Sequence, residues 1–332
     1  MKAIVIETNK DLVWKDVENP VLKDGEVLVE VHAAAVNRAD LMQREGSYPP
    51  PPGCPEWPGL EISGIIKELT PEAEKTGKWH VGDEVCALLG GGGYAEYAAV
   101  HHSMIMPVPK GLSLVEAAAL PEAFATAYLN LFIEGGAKEG QTFLMHAGAS
   151  GLASVVIPMA KAFGLRVITS VLSDEIAESI KHLNADVVVN TSKESMADVL
   201  KREEEAGHPL NLAIDCLGSE KVAECFPYVA YGCRWIMIAT LAGDISSVNM
   251  RTMFVKNIRL IGSTLRSKSV EVKGQILANL VSEIWPKVES GEVRPTIYKV
   301  MSITEAEAAH DLLQQGKSTG KVVLTIPGRE CR

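Results

Sequence analysis

From about Pro121 onward the chain alternates short apolar runs with stretches of helical pattern, and this rhythm limits its fold more than any other feature. The runs are QTFLMHA, LRVITSVL, ADVVVN, NLAIDCLG and CRWIMIAT. Strands that are apolar throughout, rather than at alternate positions, are covered on both faces. Their alternation with helices predicts an α/β domain of Rossmann type, a doubly wound parallel sheet. Before Pro121 the pattern differs: KAIVI, EVLVEVHAAAV, EISGIIKEL, DEVCALL and YAEYAAV are β-like runs separated by turns, so residues 1–120 read as a mostly β domain. Six prolines between positions 49 and 58 make a stiff loop that no helix or central strand can cross. Gly90 to Gly93 form a second loop, read most simply as a turn between strands. A helix over about Val270 to Trp285 would set Ile276, Leu277, Leu280, Val281 and Ile284 on a core face.

The 332 residues suffice for two such domains. A net charge of −10 argues against nucleic acid as a partner, because neutralising a phosphate backbone needs a basic surface. The most apolar stretch, Leu152 to Ala160, is broken by Ser154 and Pro158, so no membrane span is expected. The opening MKAIVIETNKDLVWKD lacks a basic region followed by a long apolar one, which points to a cytoplasmic protein. Cys54, Cys86, Cys216, Cys225, Cys233 and Cys331 form no C-x-x-C pair, a pattern of reduced thiols rather than of a disulfide scaffold or zinc knuckle.

The strand TFLMHA runs into Gly148-Ala149-Ser150-Gly151-Leu152-Ala153 and then a helical stretch. In a G-x-G-x-x-G/A loop the glycines allow a tight turn, close approach to a pyrophosphate and close packing of helix on strand. Here Ser150 and Ala153 stand in the second and third places, so the motif is degenerate. A plain strand-to-helix turn competes with the phosphate-loop reading, which the following β/α units favour. Pro158 falls inside the helix, where it removes one hydrogen bond and should kink the axis. The next strand ends without an acid until Asp174 and Glu175. Ser170 and Ser173 could donate to a 2′-phosphate, or Ser173 could simply cap a helix. No basic residue stands at the obvious spot, and these residues leave NADPH against NADH open.

Several ordered blocks together resemble the zinc-independent quinone oxidoreductases of the medium-chain dehydrogenase/reductase superfamily, more their tumour-suppressor-inducible branch than the zeta-crystallins. The blocks are NRADLMQREGSYPPPPG at 37–53, LLGGGGYAEY at 88–97, LPEAFATAY at 120–128, HAGASG at 146–151, DCLGS at 215–219, LRS at 265–267 and GKVVL at 320–324. The resemblance implies a Rossmann domain (121–295) inserted in a GroES-like, mostly β catalytic domain (1–120 and 296–332), with the cofactor in a cleft where they meet. It also implies NADPH and a homodimer joined through the Rossmann sheets. Asn37 and Leu60 occupy the positions where zinc-dependent members place a cysteine and a histidine. Neither competes as a zinc ligand, so a reaction without zinc is expected.

Without a Lewis acid, charge developing on the substrate oxygen must be met by hydrogen-bond donors, which suits an electron-poor quinone. The resemblance makes Tyr48 the active-site tyrosine, against an aromatic merely packed among prolines. Asn37 and Asp40 would fix the nicotinamide ribose or polarise the site, although Asp40 could instead pair with Arg38 or Arg44. Cofactor-facing positions on the same resemblance are Tyr48, Thr126, Gly148, Ala149, Ser150, Gly151, Leu152, Ser170, Ser173, Asn190, Cys216, Ala239, Leu241, Thr264, Leu265, Arg266 and Lys321. For Thr126, Arg266 and Lys321 an ordinary surface or interdomain contact competes. Three functions follow: an NADPH-dependent quinone reductase acting on ortho-quinone-like acceptors, a 2-alkenal or enoyl-thioester reductase, or a cofactor-binding sensor or crystallin-like protein with little catalysis.

Overall fold

The computed structural model describes residues 1–316 and 318–329. Its chain divides into two compact units: Met1–Ala125 with Arg266–Gly291 and Pro295 onward, and Thr126–Leu265 with Glu292–Arg294.

In the second unit the apolar runs become six parallel strands, Thr142–Met145, Arg166–Val171, Val187–Asn190, Leu210–Asp215, Val229–Met237 and Arg259–Gly262. Counted in chain order they lie 3-2-1-4-5-6 across the sheet, the Rossmann arrangement. Leu144, Ile168, Ala213 and Trp235 from four of these strands are fully buried. Helix Met196–Glu205 covers them with Met196, Val199 and Leu200, spaced to share one face, while its other face is charged. Ser195 caps this helix, its hydroxyl accepting from Asp198 N at 3.1 Å. Helix Ala153–Ala162 runs on through Pro158, so the proline removes a hydrogen bond without ending the element.

The first unit is built on a sheet of seven strands. Its longest, Glu26–Ala35, alternates buried and half-buried residues at its start and then becomes buried at every position. That second half, HAAA, carries small side chains where Ala33 and Ala35 pack on Ala118, Ala119 and Val323. The closing strand Lys321–Thr325 pairs antiparallel with it, Val323 opposite Ala35, which returns the end of the chain to the β unit.

Residues Arg266–Gly291, expected within the Rossmann portion, group with the β unit instead. Trp285 explains this: its indole N–H donates to Pro107 O at 2.8 Å and its ring meets Phe124 edge-on. The single helix expected over 270–285 is also three pieces, Val270–Asn279, a π-helical turn Leu280–Ile284 and Trp285–Glu289. Cys54, Cys86, Cys216, Cys225 and Cys233 are free thiols; Cys331 lies outside the described residues. Among the described residues no helix is long and apolar enough to cross a membrane.

Candidate active site

In the β unit, Asn37 caps helix Arg38–Arg44 and anchors a buried polar network. Its side-chain N–H donates to Glu61 Oε1 at 3.0 Å, and its carbonyl accepts from Lys321 Nζ at 2.6 Å. Lys321 also pairs with Glu61 at 2.6 Å and donates to Val36 O at 3.2 Å. An ammonium has three protons, so this one is fully engaged. Lys321, expected to face the cofactor, is turned inward and braces Asn37. The second oxygen of Glu61 accepts from Glu122 N at 2.8 Å, which fastens the start of helix Pro121–Tyr128 to the strand Glu61–Leu69.

Asp40 is completely buried. Its carboxylate accepts from Asn37 N at 2.8 Å, from Gly59 N at 2.9 Å and from the Tyr94 hydroxyl at 3.2 Å. Burial outweighs these bonds and raises its carboxyl to about 6. Neither arginine considered for it is its partner: Arg38 donates to Leu313 O, and Arg44 to Lys10 O and Glu307. With no exposed atom, Asp40 orients Asn37 and the turn at Gly59 rather than touching a ligand.

Tyr48 sits half-buried at the edge of the proline loop. Its hydroxyl has no partner among the described residues, and burial pushes its proton loss above the ordinary phenol range. The Arg266 guanidinium stacks on its ring, 4.7 Å from the centroid. That guanidinium donates to Tyr48 O at 3.1 Å, to Gln43 Oε1 at 2.8 Å and twice to Gly90 O at 2.7 and 3.0 Å. Arg266 therefore ties three segments around the tyrosine instead of offering its charge outward. The glycine row is more than a turn. Gly92 N donates to Trp57 O and Gly93 N to Gly59 O, laying 90–93 against 54–59 so closely that a Cβ on Gly90 would lie 2.6 Å from Cys54 Sγ.

The Rossmann unit builds its candidate site from backbone. Ala147 takes a left-handed φ of 54° to turn the chain out of strand Thr142–Met145. Gly148 N then donates to Ser170 O at 2.8 Å, and a Cβ there would stand 2.5 Å from Thr169 Oγ1. Glycine is required for that approach to the neighbouring strand. Ser150, in place of the second glycine, accepts from Ala153 N at 3.1 Å and caps the helix start. Among the described residues the N–H groups of Ala149, Gly151 and Leu152 donate to no protein group. Three amides at the start of a ten-residue helix, free of side-chain bulk, fit a pyrophosphate.

Ser170 is buried, its hydroxyl meeting His146 Nδ1 at 2.9 Å and Ala147 N at 3.2 Å, so it fixes the loop instead of reaching a 2′-phosphate. Ser173 caps helix Asp174–Ser179, accepting from Ile176 N at 3.3 Å. Beyond them stands a cation absent from the sequence-based expectation. Lys193 pairs with Asp174, and Asn190 donates to the same carboxylate at 2.7 Å. Asn190 ends strand Val187–Asn190 and Lys193 lies in the turn after it, which the sheet order sets beside the end of Arg166–Val171. The acid that clouded cofactor choice is neutralised across strands.

The remaining candidates scatter within this unit. Thr126 is half-buried and its carbonyl accepts from Asn130. Cys216 is buried just past Asp215, whose carboxylate takes Leu217 N, Gly218 N and the Trp235 indole N–H. Ala239 is half-buried, while Leu241 is exposed and donates its N–H to Cys216 O at 3.0 Å. Thr264 is exposed and Leu265 buried, after the last strand of the sheet.

A 3-2-1-4-5-6 sheet with an amide-lined loop at the end of its first strand defines a dinucleotide-fold protein, in a chain whose β unit carries a buried polar cluster. Residues 23–110 match the alcohol dehydrogenase GroES-like domain family, and residues 151–282 the zinc-binding dehydrogenase family. The quinone oxidoreductase-like protein 2 homolog of Nematostella vectensis is 30% identical over 96% of this chain and 87% of its own. Mouse quinone oxidoreductase is 29% identical over 94% and 92%. The Thermus thermophilus quinone oxidoreductase, whose structures include a complex with NADPH, superposes with a TM-score of 0.81 at 29% identity over 98% of this chain and all of its own. The chain belongs to the medium-chain dehydrogenase/reductase superfamily of oxidoreductases, among its quinone oxidoreductase-like members.

Proposed function

We propose that this protein is an NADPH-dependent quinone reductase that works without zinc, with ortho-quinone-like molecules as acceptors. The observation that carries this reading is the unpartnered Tyr48 hydroxyl, held in place by Arg266 in the unit that also carries the Asn37–Lys321–Glu61 network. When bound, the reduced dinucleotide supplies a hydride. The chain's own residues bind and orient. Ala149, Gly151 and Leu152 offer amides to the pyrophosphate, and Gly148 keeps the loop tight on its sheet. Lys193, with Asn190 alongside, is the cation at this strand end, and exchanging its Asp174 partner for a 2′-phosphate would favour NADPH over NADH. Ser173 and Ser170 are committed to local hydrogen bonds and leave that task to Lys193. Asn37, fixed at both ends of its amide by Lys321 and Glu61, is the residue we assign to the nicotinamide ribose, and Asp40 fixes Asn37 in turn. Tyr48 donates to the acceptor oxygen.

The test is steady-state oxidation of NADPH and of NADH with 1,2-naphthoquinone, alongside an enone and a crotonyl thioester. Turnover of the quinone with NADPH preferred is the expected outcome. Preference for the enone or thioester would replace this reading with that of a 2-alkenal or enoyl reductase, and no turnover by folded protein would leave a cofactor-binding sensor or crystallin-like role. Tyr48→Phe should lower quinone turnover while leaving NADPH affinity unchanged. A homodimer through the Rossmann sheets completes the proposal. Strand Arg259–Gly262 is the sheet's edge among the described residues, with Leu260 exposed, and Met250, Phe254 and Val255 nearby in the chain are exposed as well. Leu260→Glu should shift the sedimentation coefficient from dimer to monomer.

A further inference from the structure

Resting on the reading above, we propose that Tyr94 and His310 are positioning residues of this site. They form a hydrogen-bond chain, His310 to Tyr94 to Asp40, that sets Asn37 and the Gly59 turn from the interior. All of these residues belong to the β unit. The Tyr94 hydroxyl stands 3.2 Å from Asp40 Oδ2 and 3.4 Å from His310 Nε2. The Tyr94 and His310 rings meet edge-on, their centroids 6.0 Å apart. Asp40, Tyr94 and His310 are all buried, none more than 1% exposed.

Counting donors fixes the direction of the chain. Asp40 accepts a backbone N–H on each oxygen, from Asn37 at 2.8 Å on Oδ2 and from Gly59 at 2.9 Å on Oδ1. The phenol has a single proton to give, and His310 Nδ1 has no partner among the described residues. A proton on Nδ1 would be a buried N–H with nothing to receive it, the rarer kind of orphan. It would also draw the Tyr94 proton toward Nε2 and leave the phenol oxygen facing Asp40 with no hydrogen between them. The proton therefore sits on Nε2, which donates to the Tyr94 oxygen, and the Tyr94 O–H donates to Asp40. The same count leaves the ring neutral, in keeping with burial and the Arg44 charge, which push its pKa down to about 3.

What the chain holds is the junction of three segments. Asp40 belongs to helix Arg38–Arg44, which Asn37 caps. Gly59 turns at a left-handed φ of 110°, so close to the glycine row that a Cβ on it would stand 2.5 Å from Tyr94 N and 2.6 Å from Gly93 Cα. Tyr94 N in turn donates to Pro58 O at 2.9 Å. The same row carries Gly90, whose carbonyl takes two bonds from the guanidinium that stacks on Tyr48. His310 reaches this junction on helix Ala306–Gln314, from the far end of the chain. That helix is fastened to Arg38–Arg44 twice more, by Arg38 donating to Leu313 O at 3.4 Å and by the Arg44–Glu307 pair. Packing alone would need only the bulk of His310; the chain needs its Nε2–H.

Two measurements on the full-length protein test this. In the first, proton–nitrogen NMR of the cofactor-free protein at neutral pH reads the His310 ring and the backbone amides of Asn37 and Gly59. The ring should be the neutral Nε2–H tautomer. Tyr94→Phe and His310→Leu should each displace both amide signals, whereas His310→Gln, which puts an N–H where Nε2 stood, should leave them near the wild-type positions. An Nδ1–H or charged ring, or amides indifferent to both cuts, overturns the chain whatever the turnover. In the second, kcat with 1,2-naphthoquinone is set against the Kd for NADPH. Tyr94→Phe should lower kcat about tenfold and His310→Leu about fivefold, with the Kd unchanged. The double variant should be no slower than Tyr94→Phe, since both changes cut one chain, and His310→Gln should recover most of the rate. Folded Tyr94→Phe and His310→Leu with wild-type kcat, or His310→Gln as slow as His310→Leu, overturn the positioning role while leaving the quinone reductase reading standing. A wild type that turns over no quinone overturns that reading and the role in turnover, and the NMR signals then decide the chain by themselves.

Discussion

The two units build their polar clusters from opposite materials. The β unit uses side chains: Lys321, Glu61, Asn37 and Asp40 are buried or nearly so, and Lys321 reaches Asn37 and Glu61 from far away in the chain. The Rossmann unit uses backbone: free amides, one obligatory glycine and a serine that caps its own helix. A network of buried charges is vulnerable to loss of any one member, because the partner left behind cannot be re-solvated. A loop of amides is indifferent to most side-chain changes and vulnerable only to added bulk. Four substitutions would break or sharpen this contrast.

The largest effect is expected from Lys321→Met, which leaves Glu61 buried without its cation. Urea denaturation should show a loss of about 3–5 kcal/mol; a loss under 1 kcal/mol would mean that water reaches Glu61 and the network is not a closed one. Next comes Gly148→Val. The added atoms would collide with Thr169 and force the loop off its strand, so NADPH binding followed by fluorescence should weaken about 100-fold, equivalent to roughly 2.7 kcal/mol, while the far-UV circular dichroism stays native. Lys193→Glu comes third, because it acts through one exposed charge. The Kd for NADPH should rise about tenfold, with NADH unaffected and the difference shrinking at high salt. An equal loss for both cofactors would place Lys193 on the pyrophosphate or adenosine instead.

The smallest effect is a slope. Glu122 holds its proton in the folded protein up to about pH 8, whereas the unfolded chain releases it in the ordinary carboxylate range. The folded state thus binds more protons between those limits, and the stability from this group, complete below the carboxylate range, is lost as pH rises toward 8. Glu122→Gln abolishes that loss. From pH 5 to pH 9 the variant should gain stability relative to wild type, measured as a narrowing or reversal of the Tm gap. A constant gap would show that the carboxyl is already ionised at neutral pH.

The contrast also explains what could be read from the chain alone. The Rossmann strands were legible because burial on both faces leaves a continuous apolar run, and the Gly148–Ala153 loop because it is contiguous, strand to turn to helix. Pro158 was legible as an irregularity but not as a tolerated one. The side-chain network was illegible for the opposite reason: Lys321 meets Asn37 across 284 residues, and Glu61 meets Glu122 across 61. Block resemblance pointed to Asn37, Asp40 and Lys321 without showing that two of them serve the third. Lys193 was hidden by topology, since only the pairing of Val187–Asn190 with Arg166–Val171 brings it to Asp174. Glu122 lay in plain view within LPEAFATAY, but nothing local distinguishes it from any acid at a helix start.

The seam between 54–59 and 90–93 has one more consequence. It joins the stiffest stretch of the chain to the most pliable one, through bonds such as Gly92 N to Trp57 O at 2.9 Å, Gly93 N to Gly59 O at 3.0 Å and the Trp57 indole N–H to Gly92 O at 3.1 Å. Prolines have little conformational freedom to lose and glycines the most. The rigid segment therefore acts as a mould, and the glycine strip takes its shape from it. Because the seam contains no titrating group among its bonding atoms, the floor beneath Tyr48 keeps its form across the pH range in which Glu122 changes charge.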